Sequence, residues 1–343
     1  MKIFYGVCGE GMGHAGRSLA LIERLAALGH RVTIFTFADA LRLLNAAGYS
    51  PVAIDGLQFS IAKHGGVSPL RSCGNLASYL RNRHKSLDVI RQVALAEQPD
   101  LVITDFEPLT ALAAASLRIP CVSVDNQHRF CHPLGRDFPW FLQCYSRLAG
   151  VFVRGWIRGP RQCIVAVFHD CPASRHYQHV DVLLRERIAS VQPSDGNHIL
   201  LYGRGELGRR IALAASGVSE QFVAFGFDGP PAPNIEYRPT DNAAFVSALA
   251  SCRAVITSAG QQLIGEARYF GKPLLVVPMP KQHEQEINAR YARQEGLGDY
   301  CPLAELSPER IEDFLRRRFT RHRPGNGVDQ TLDLMGISHG KVA

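Results

Sequence analysis

Residues 2–28 read KIFYGVCGEGMGHAGRSLALIERLAAL and place a strand, a glycine-rich turn and a helix one after another. The opening residues 2–7 are mostly apolar, which predicts a buried strand, and residues 18–28 carry apolar side chains at helical spacing. Gly29 is typical of the residue that follows the end of a helix. The β-branched and aromatic stretch 31–37 predicts a second buried strand. This order of elements indicates a parallel sheet covered by helices.

The same alternation continues along most of the chain. Further buried strands are predicted at residues 100–104, 120–124, 163–168, 198–202, 221–225, 254–257 and 274–277. We therefore expect an α/β fold of two tandem doubly wound domains, residues 1–177 and 178–319, with a tail of about residues 320–343 that can pack back on the first. Ligands of such sheets bind beyond the carboxyl ends of the strands, so we expect the domains to face each other across a cleft.

The composition excludes several classes of protein. The 343 residues are 46% apolar and 20% charged, which excludes disorder or a coiled coil as a description of the whole chain. The net charge of +7 suits an anionic partner without identifying it. No secretion signal opens the chain, and no apolar stretch of about 18 residues predicts a membrane span. Nine scattered cysteines without a CxxC pair favour a reducing, cytoplasmic location over a disulfide framework or a zinc site.

The first glycine-rich turn carries a weak nucleotide signature. Gly11, Gly13 and Gly16 match the GxGxxG pattern of dinucleotide-binding proteins. In those proteins an acidic residue ends the second strand and holds the ribose. Here the second predicted strand ends at Phe37, so the pattern disfavours a nicotinamide cofactor.

His14 is the unusual residue of this turn. At the start of a helix it is a candidate general base, although it could equally cap the turn by hydrogen bonding. Asp105 closes a predicted strand and could orient His14, or it could cap the next helix. Glu107 is the competing carboxylate, and Asp125 follows the next strand along. The candidate acceptor-side residues around this pair are Gly11, Gly13, Glu107 and Asp125.

The densest signal lies in the second half, where residues 256–267 read ITSAGQQLIGEA. A strand, a Ser-Ala-Gly turn and a helix follow one another there, and backbone N–H groups at the start of a helix suit a diphosphate. Glu266 lies in that helix, from which a carboxylate can bind two ribose hydroxyls. Glu284 and Gln285 begin a later helix, and their polar groups suit the hydroxyls of a sugar.

This stretch resembles the donor-binding half of GT-B glycosyltransferases, most closely the MurG-like and monogalactosyldiacylglycerol-synthase-like group, family 28. The turn from Gly9 to His14 resembles the acceptor-side loop of the same group, so the likeness covers most of the chain. It implies two Rossmann-like domains and a nucleotide-sugar donor, usually linked to UDP. In related GT-B transferases a histidine here serves as base or stabilises an oxocarbenium ion, and an aspartate partners it; this pair would be His14 and Asp105.

The resemblance also implies roles for the donor-side residues. The phosphates would lie on the turn and the ribose on Glu266, with Glu284 and Gln285 on the sugar. The full set of donor-site candidates is Ser258, Ala259, Gly260, Gln261, Glu266, Glu284, Gln285, Gly203 and Arg204. Arg204 could face the diphosphate or be a surface charge, and Tyr237, within residues 234–239, could stack on the base or pack in the protein.

The resulting hypothesis is a metal-independent glycosyltransferase that needs no cofactor. The chain has no DxD carboxylate pair, so the leaving diphosphate would depend on helix N-termini and on cations such as Arg204 or Lys281. A UDP-sugar hydrolase of the same fold is the alternative reaction, and a binding module without activity is a third reading.

Basic and aromatic segments raise the question of a membrane. They comprise Arg81, Arg83, His84 and Lys85, Trp140 and Phe141, and Trp156 with Arg154, Arg158 and Arg161. They could form a face for an anionic membrane at its inner side, where a lipid-linked rather than a small-molecule acceptor would lie, or they could simply be solvated. No module for nucleic acid is recognisable.

Overall fold

The computed structural model describes residues 1–57, 69–172, 174–239, 241–319, 321 and 323–337. The chain divides into two compact units. The first contains residues 1–167 and 171–185 together with the chain from Asn326 onward, and the second contains residues 168–170 and 186–325. The predicted boundary after residue 177 therefore falls inside the first unit, at the start of a strand that belongs to its sheet.

The first unit is built on a parallel sheet of seven described strands in the order β3-β2-β1-β4-β5-β6-β7. Its strands are β1 (Lys2–Val7), β2 (Arg31–Thr36), β3 (Val52–Ala53), β4 (Leu101–Asp105), β5 (Cys121–Asp125), β6 (Gln162–Ala166) and β7 (Tyr177–Val180). Its helices are α1 (Gly11–Ala27), α2 (Ala38–Ala46), α3 (Pro69–Glu97), α4 (Pro108–Leu117) and α5 (Trp140–Trp156), with a 3₁₀ helix at Gln127–Cys131.

The second unit repeats this plan with a sheet of order β10-β9-β8-β11-β12-β13. Its strands are β8 (His198–Tyr202), β9 (Gln221–Phe225), β10 (Ile235–Arg238), β11 (Ala254–Thr257), β12 (Leu274–Val276) and β13 (Gly298–Tyr300). Its helices are α6 (Glu186–Ala189), α7 (Gly205–Ala215), α8 (Asn242–Ser251), α9 (Gln261–Tyr269), α10 (His283–Gln294) and α11 (Pro308–Arg316), with a 3₁₀ helix at Leu303–Glu305.

The last described helix, α12 (Gly327–Leu334), belongs to the first unit. Its Val328 and Leu332 are buried in the same apolar cluster as Ile3 of β1. The Asn326 side chain accepts a hydrogen bond from the Leu184 backbone N–H (3.1 Å). These contacts carry the chain back onto the first sheet, where the tail was expected.

In each unit the strand order reverses direction at one point, and the candidate residues lie there. The reversal falls between β1 and β4 in the first sheet and between β8 and β11 in the second. At these positions Val7 pairs with Asp105, and Tyr202 pairs with Thr257. Helices leave the sheet on opposite faces on either side of such a point, which opens a crevice beyond the carboxyl ends of the strands.

Several elements differ from the sequence-based expectation. Helix α1 begins at Gly11, so most of the predicted glycine turn is the first turn of a helix. The unassigned stretch 127–159 forms the 3₁₀ helix and α5. Residues 235–238, for which no strand was predicted, form the edge strand β10. A short edge strand carries little apolar sequence, which is why the pattern missed it.

Candidate active site

His14 and Asp105 are brought together in the first unit. His14 lies in the first turn of α1, and Asp105 is the last residue of β4. Their side chains meet through His14 Nδ1 and Asp105 Oδ1, which are 2.9 Å apart. Asp105 is fully buried, whereas the His14 ring keeps 12% of its side-chain surface exposed. A buried carboxylate beside a partly exposed imidazole is the arrangement that a base and its orienting group require.

Arg17 and Ser18 complete the environment of Asp105, and the sequence-based reading did not assign them. Arg17 Nε donates to Asp105 Oδ2 (2.8 Å) and Nη2 to Oδ1 (2.5 Å), while Ser18 Oγ donates to Oδ2 (2.8 Å). Burial alone would raise the pKa of Asp105, but the charge of Arg17 and the hydrogen bonds from His14 and Arg17 hold the pKa below its usual value. His14, Arg17 and Ser18 have the spacing i, i+3, i+4, which places them on one face of α1 and could have indicated this cluster.

Gln127 is a third residue to which sequence reasoning assigned no specific role. Its side-chain nitrogen lies 3.1 Å from His14 Nε2, and its oxygen accepts a hydrogen bond from Arg17 Nη2 (3.0 Å). It follows the end of β5 by two residues, so it lies at the carboxyl edge of the sheet next to β4. Position after a strand is the signal that could have found it.

Phe106 connects this site to an aromatic row. Its φ of 56° is in the left-handed region, an unusual conformation for a residue with a side chain. The ring lies roughly parallel to that of His14, with centroids 6.3 Å apart, and 6.4 Å from that of Phe152 on α5. The apolar wall beside His14 therefore continues onto α5.

Glu107 and Asp125 do not have the acceptor-side role predicted for them. Both Glu107 oxygens cap α4, accepting from the backbone N–H groups of Leu109 (2.9 Å) and Thr110 (2.7 Å). The capping role considered for Asp105 thus belongs to Glu107. Asp125 is fully buried and pairs with His128, whose Nδ1 lies 2.6 Å from Oδ2. Carboxylates already satisfied inside the protein leave no oxygen for an acceptor.

Gly11 and Gly13, in the first turn of α1, differ in whether the structure requires glycine. Gly11 has a φ of 74°, a conformation that favours glycine. A Cβ added at Gly13 would meet nothing within 4 Å. Packing within the protein therefore gives no reason for glycine at 13, and open space lies beside it.

In the second unit the turn from Ser258 to Gly260 follows β11. Ala259 is buried, and its carbonyl accepts a hydrogen bond from Asn288 Nδ2 (2.9 Å), so Asn288 braces the turn. Gly260 is the exposed N-cap of α9 and supplies no capping side chain, and Gln261 is the first residue of the helix. The N–H groups of a first helical turn have no partner within the helix and attract anions.

A second helix starts at the same edge of this sheet. Arg204 is the exposed N-cap of α7, which follows β8, the neighbour of β11. At Gly203 an added Cβ would come within 2.7 Å of Gly208 Cα. Gly203 is therefore explained by close packing of the turn on α7, and Arg204 remains the candidate for contact with a ligand.

Glu266 is a buried carboxyl group in the second turn of α9. Its Oε1 accepts a hydrogen bond from Gln262 Nε2 (3.1 Å). Burial raises the pKa of Glu266 from 4.5 to about 7. A carboxyl group with such a pKa at the edge of a parallel sheet has the character of a ligand-binding group.

The remaining donor-side candidates are less clear-cut. Glu284 and Gln285 both lie in the first turn of α10 and are half-buried. Gln285 Oε1 accepts a hydrogen bond from the Met279 backbone N–H (2.9 Å), so it braces the preceding loop. Tyr237 packs edge-on against Phe227 and donates its hydroxyl to the Pro230 carbonyl (2.9 Å). These contacts give Tyr237 the packing role that was one of its two alternatives.

The basic segment of α3 lies on a helix that contacts Trp156, at the end of α5. The ring of Tyr79 on α3 lies 5.5 Å from that of Trp156 on α5, and Arg81 and Lys85 are exposed on the same α3. No described helix combines the length and apolar character needed to cross a membrane. Nor does any group of three or more His, Cys, Asp or Glu side chains that could hold a metal occur among the described residues.

Known proteins of similar sequence and fold place the chain in a family. A model described as glycosyl transferase family 1 matches residues 1–318. A protein of Methanosarcina mazei described as an uncharacterised glycosyltransferase is 25% identical over all of this chain and 97% of its own. The structures of the calicheamicin glycosyltransferase CalG4 and of Acinetobacter baumannii MurG match with TM-scores of 0.67 and 0.63.

These structures are 21% and 17% identical to this chain; CalG4 is matched over 99% of both chains, and MurG over 98% of this chain and 100% of its own. They confirm the predicted α/β fold of the GT-B class. Because the family model covers nearly the whole sequence, the chain belongs to glycosyl transferase family 1 and is a glycosyltransferase.

Proposed function

We propose that the enzyme transfers a sugar from a nucleoside-diphosphate donor, with UDP as the expected nucleotide, to an acceptor hydroxyl without a metal ion. The observation that carries this proposal is His14, held through Nδ1 by the buried Asp105 while its ring stays partly exposed. In the reaction His14 Nε2 takes the hydroxyl proton as the oxygen attacks the anomeric carbon. The bond from that carbon to the diphosphate breaks, and its electron pair leaves with the nucleoside diphosphate.

On the donor side we assign the diphosphate to the start of α9. Gly260 begins α9 without a capping side chain, and the dipole of the helix favours the negative charge that develops on the leaving group. Arg204 at the start of α7 supplies a cation at the same edge, and Lys281, exposed after β12, is a second. These groups would do the work that a metal ion does in other transferases.

Glu266 is assigned to the ribose hydroxyls, and its raised pKa makes the assignment testable. An ionised carboxylate accepts stronger hydrogen bonds than a neutral carboxyl group, so UDP should bind more tightly to the wild type as the pH rises through 7. Glu266→Gln should weaken UDP binding about 10- to 100-fold at pH 8 and remove this dependence. Calorimetry of UDP binding to both proteins across pH 6–8 measures this pH dependence. The phosphate of UDP titrates in the same way in both experiments, so the difference between the proteins reports on Glu266.

The stability of the protein without UDP should change with pH in the direction opposite to its affinity for UDP. A carboxyl group whose pKa is raised from 4.5 to about 7 stabilises the fold least at high pH, because ionising it in a buried place is unfavourable. Glu266→Gln should therefore unfold at a higher denaturant concentration than the wild type above pH 7. Equal UDP affinity in the two proteins at pH 8 would count against the ribose role.

For the acceptor we propose a lipid-linked hydroxyl compound reached at a membrane surface. Trp140, Leu148 and Val151 of α5 are 76%, 72% and 64% exposed, which is unusual for apolar side chains on one helix. The sequence from residue 138 to 169 contains no Asp or Glu, and Arg147 and Arg154 are exposed on α5. An apolar stripe on a helix whose own charged side chains are all basic suits the interface of an anionic membrane.

Binding to vesicles tests this surface. The protein should sediment with vesicles containing anionic phospholipid and less with neutral ones. Leu148→Asp should weaken binding about 10-fold or more, the scale of one buried leucine side chain. Leu213→Asp on α7, where the leucine is 63% exposed, is the matched control and should bind like the wild type. Equal sedimentation of the two variants would exclude α5 as the contact surface.

A further inference from the structure

Gln127 contacts His14 Nε2, the nitrogen that takes the proton in the proposed reaction. Its side-chain nitrogen is 3.1 Å from His14 Nε2. Its oxygen accepts two hydrogen bonds, from Arg17 Nη2 (3.0 Å) and from the Asn126 backbone N–H (3.3 Å). Neither a guanidinium nor a backbone N–H can accept a hydrogen bond, so the amide can be oriented in one way only.

This orientation determines the tautomer of His14. Since the amide nitrogen of Gln127 donates, His14 Nε2 must accept and carries no proton. The ring proton is then on Nδ1, which donates to Asp105 Oδ1 at 2.9 Å. Arg17 Nη2 also lies 2.6 Å from Nδ1, but its two hydrogens are directed to Asp105 Oδ1 and Gln127 Oε1, so Nδ1 is not required to accept from it. Arg17 contacts both partners of His14, because its Nη2 donates to Asp105 Oδ1 and to Gln127 Oε1. The network thus holds the imidazole in the form that a general base at Nε2 requires.

We infer that Gln127 is a positioning residue, which Arg17 orients and which covers His14 Nε2 until the acceptor hydroxyl displaces it. This inference rests on the proposed function of His14. If Gln127 covers Nε2, the site favours the acceptor hydroxyl over water as the nucleophile. A water molecule must also lose a proton to Nε2 before it can attack the anomeric carbon, and it would release free sugar and nucleoside diphosphate. Covering Nε2 restrains this hydrolysis, whereas an acceptor held by further contacts can displace the amide.

Two substitutions of Gln127 should act in opposite directions. Gln127→Ala uncovers Nε2 and should raise acceptor-independent hydrolysis of a UDP-sugar about 2- to 10-fold, the range that one hydrogen bond supplies. It should also lower the KM for the acceptor. Gln127→Glu keeps the contact with Arg17 but turns an acceptor oxygen toward Nε2, so that Nε2 also carries a proton while Nδ1 keeps the one it donates to Asp105. Both transfer and hydrolysis should then fall about 100-fold or more, as when a general base is lost.

A spectroscopic readout separates this role from a structural one. In protein labelled with ¹⁵N-histidine, the ring signals assigned through His14→Ala should show a bare Nε2 in the wild type and a protonated Nε2 in Gln127→Glu. If Gln127→Ala and Gln127→Glu lose activity and melting temperature together, or if Nε2 is in the same protonation state in the wild type and in Gln127→Glu, the inference is wrong while the proposed function stands. Nearly full activity in His14→Ala would remove the proposed function and this inference with it.

Discussion

His14→Ala is expected to lower kcat by about 10²- to 10⁴-fold, the usual contribution of a positioned general base. The acceptor hydroxyl is a weak nucleophile, and it gains most of its reactivity from losing a proton as the bond to the sugar forms. Binding of the donor should be retained, because the diphosphate and ribose are assigned to the second unit. Release of nucleoside diphosphate, measured with donor and acceptor in excess, gives kcat directly.

Asp105→Asn tests the partner of the base in the same assay. An asparagine keeps the shape of the side chain, but it offers an N–H to His14 and removes the charge that Arg17 contacts. We expect a fall in kcat that approaches that of His14→Ala, because the imidazole loses the group that fixes its tautomer. His84→Ala, at an exposed histidine of α3, is the matched control and should retain the wild-type rate. A wild-type kcat in His14→Ala would refute the assignment of the base.

Much of this site follows from where strands end. The prediction that His14 and Asp105 meet used the rule that ligands gather beyond the carboxyl ends of parallel strands, and the family resemblance implied the same pair. The prediction that a helix follows the turn from Ser258 to Gly260 came from the order of strand, turn and helix in the sequence. The rule works here because the strands nearest each reversal point are buried along most of their length, as β4 is throughout. Periodicity then finds the strand, and the next residues are the candidates.

The same rule cannot tell which carboxylate faces the crevice. Asp105 and Glu107 are two residues apart, and sequence alone left both open. Glu107 caps α4 because its longer side chain returns to the N–H groups of Leu109 and Thr110. Asp125 was an acceptor-side candidate because it also follows a strand. In the structure His128, three residues later in the 3₁₀ helix, contacts it instead. These outcomes depend on local loop conformation, which residue type and spacing do not determine.

The pair of Asp125 and His128 carries the largest stability effect that we expect. Both side chains are buried, and Asp125 also accepts hydrogen bonds from Ser123 Oγ (2.6 Å) and from the His128 backbone N–H (2.9 Å). Burial disfavours both charges, yet each holds the other, so that the pKa of Asp125 falls to about 2 and that of His128 rises to about 11. Asp125→Asn or His128→Gln alone leaves one buried charge unpaired and should lower the free energy of unfolding by about 3–5 kcal/mol.

The double variant should lose much less stability than the sum of the two single ones, because removing both charges also removes the penalty of burying either.

The contribution of this pair to stability changes with pH at both ends of the range. The stabilisation by Asp125 is lost as the pH falls from 3.8 toward 2, and that by His128 is lost as the pH rises above 6.5 toward 11. Urea unfolding of the wild type should therefore weaken with rising pH above 6.5, and His128→Gln should lack that slope. Asp88→Asn, which breaks an exposed pair with Arg91, should change stability by less than about 1 kcal/mol. Single variants as mild as this control would mean that the pair is uncharged in the folded protein, because only charged partners leave an unpaired charge behind when one of them is removed.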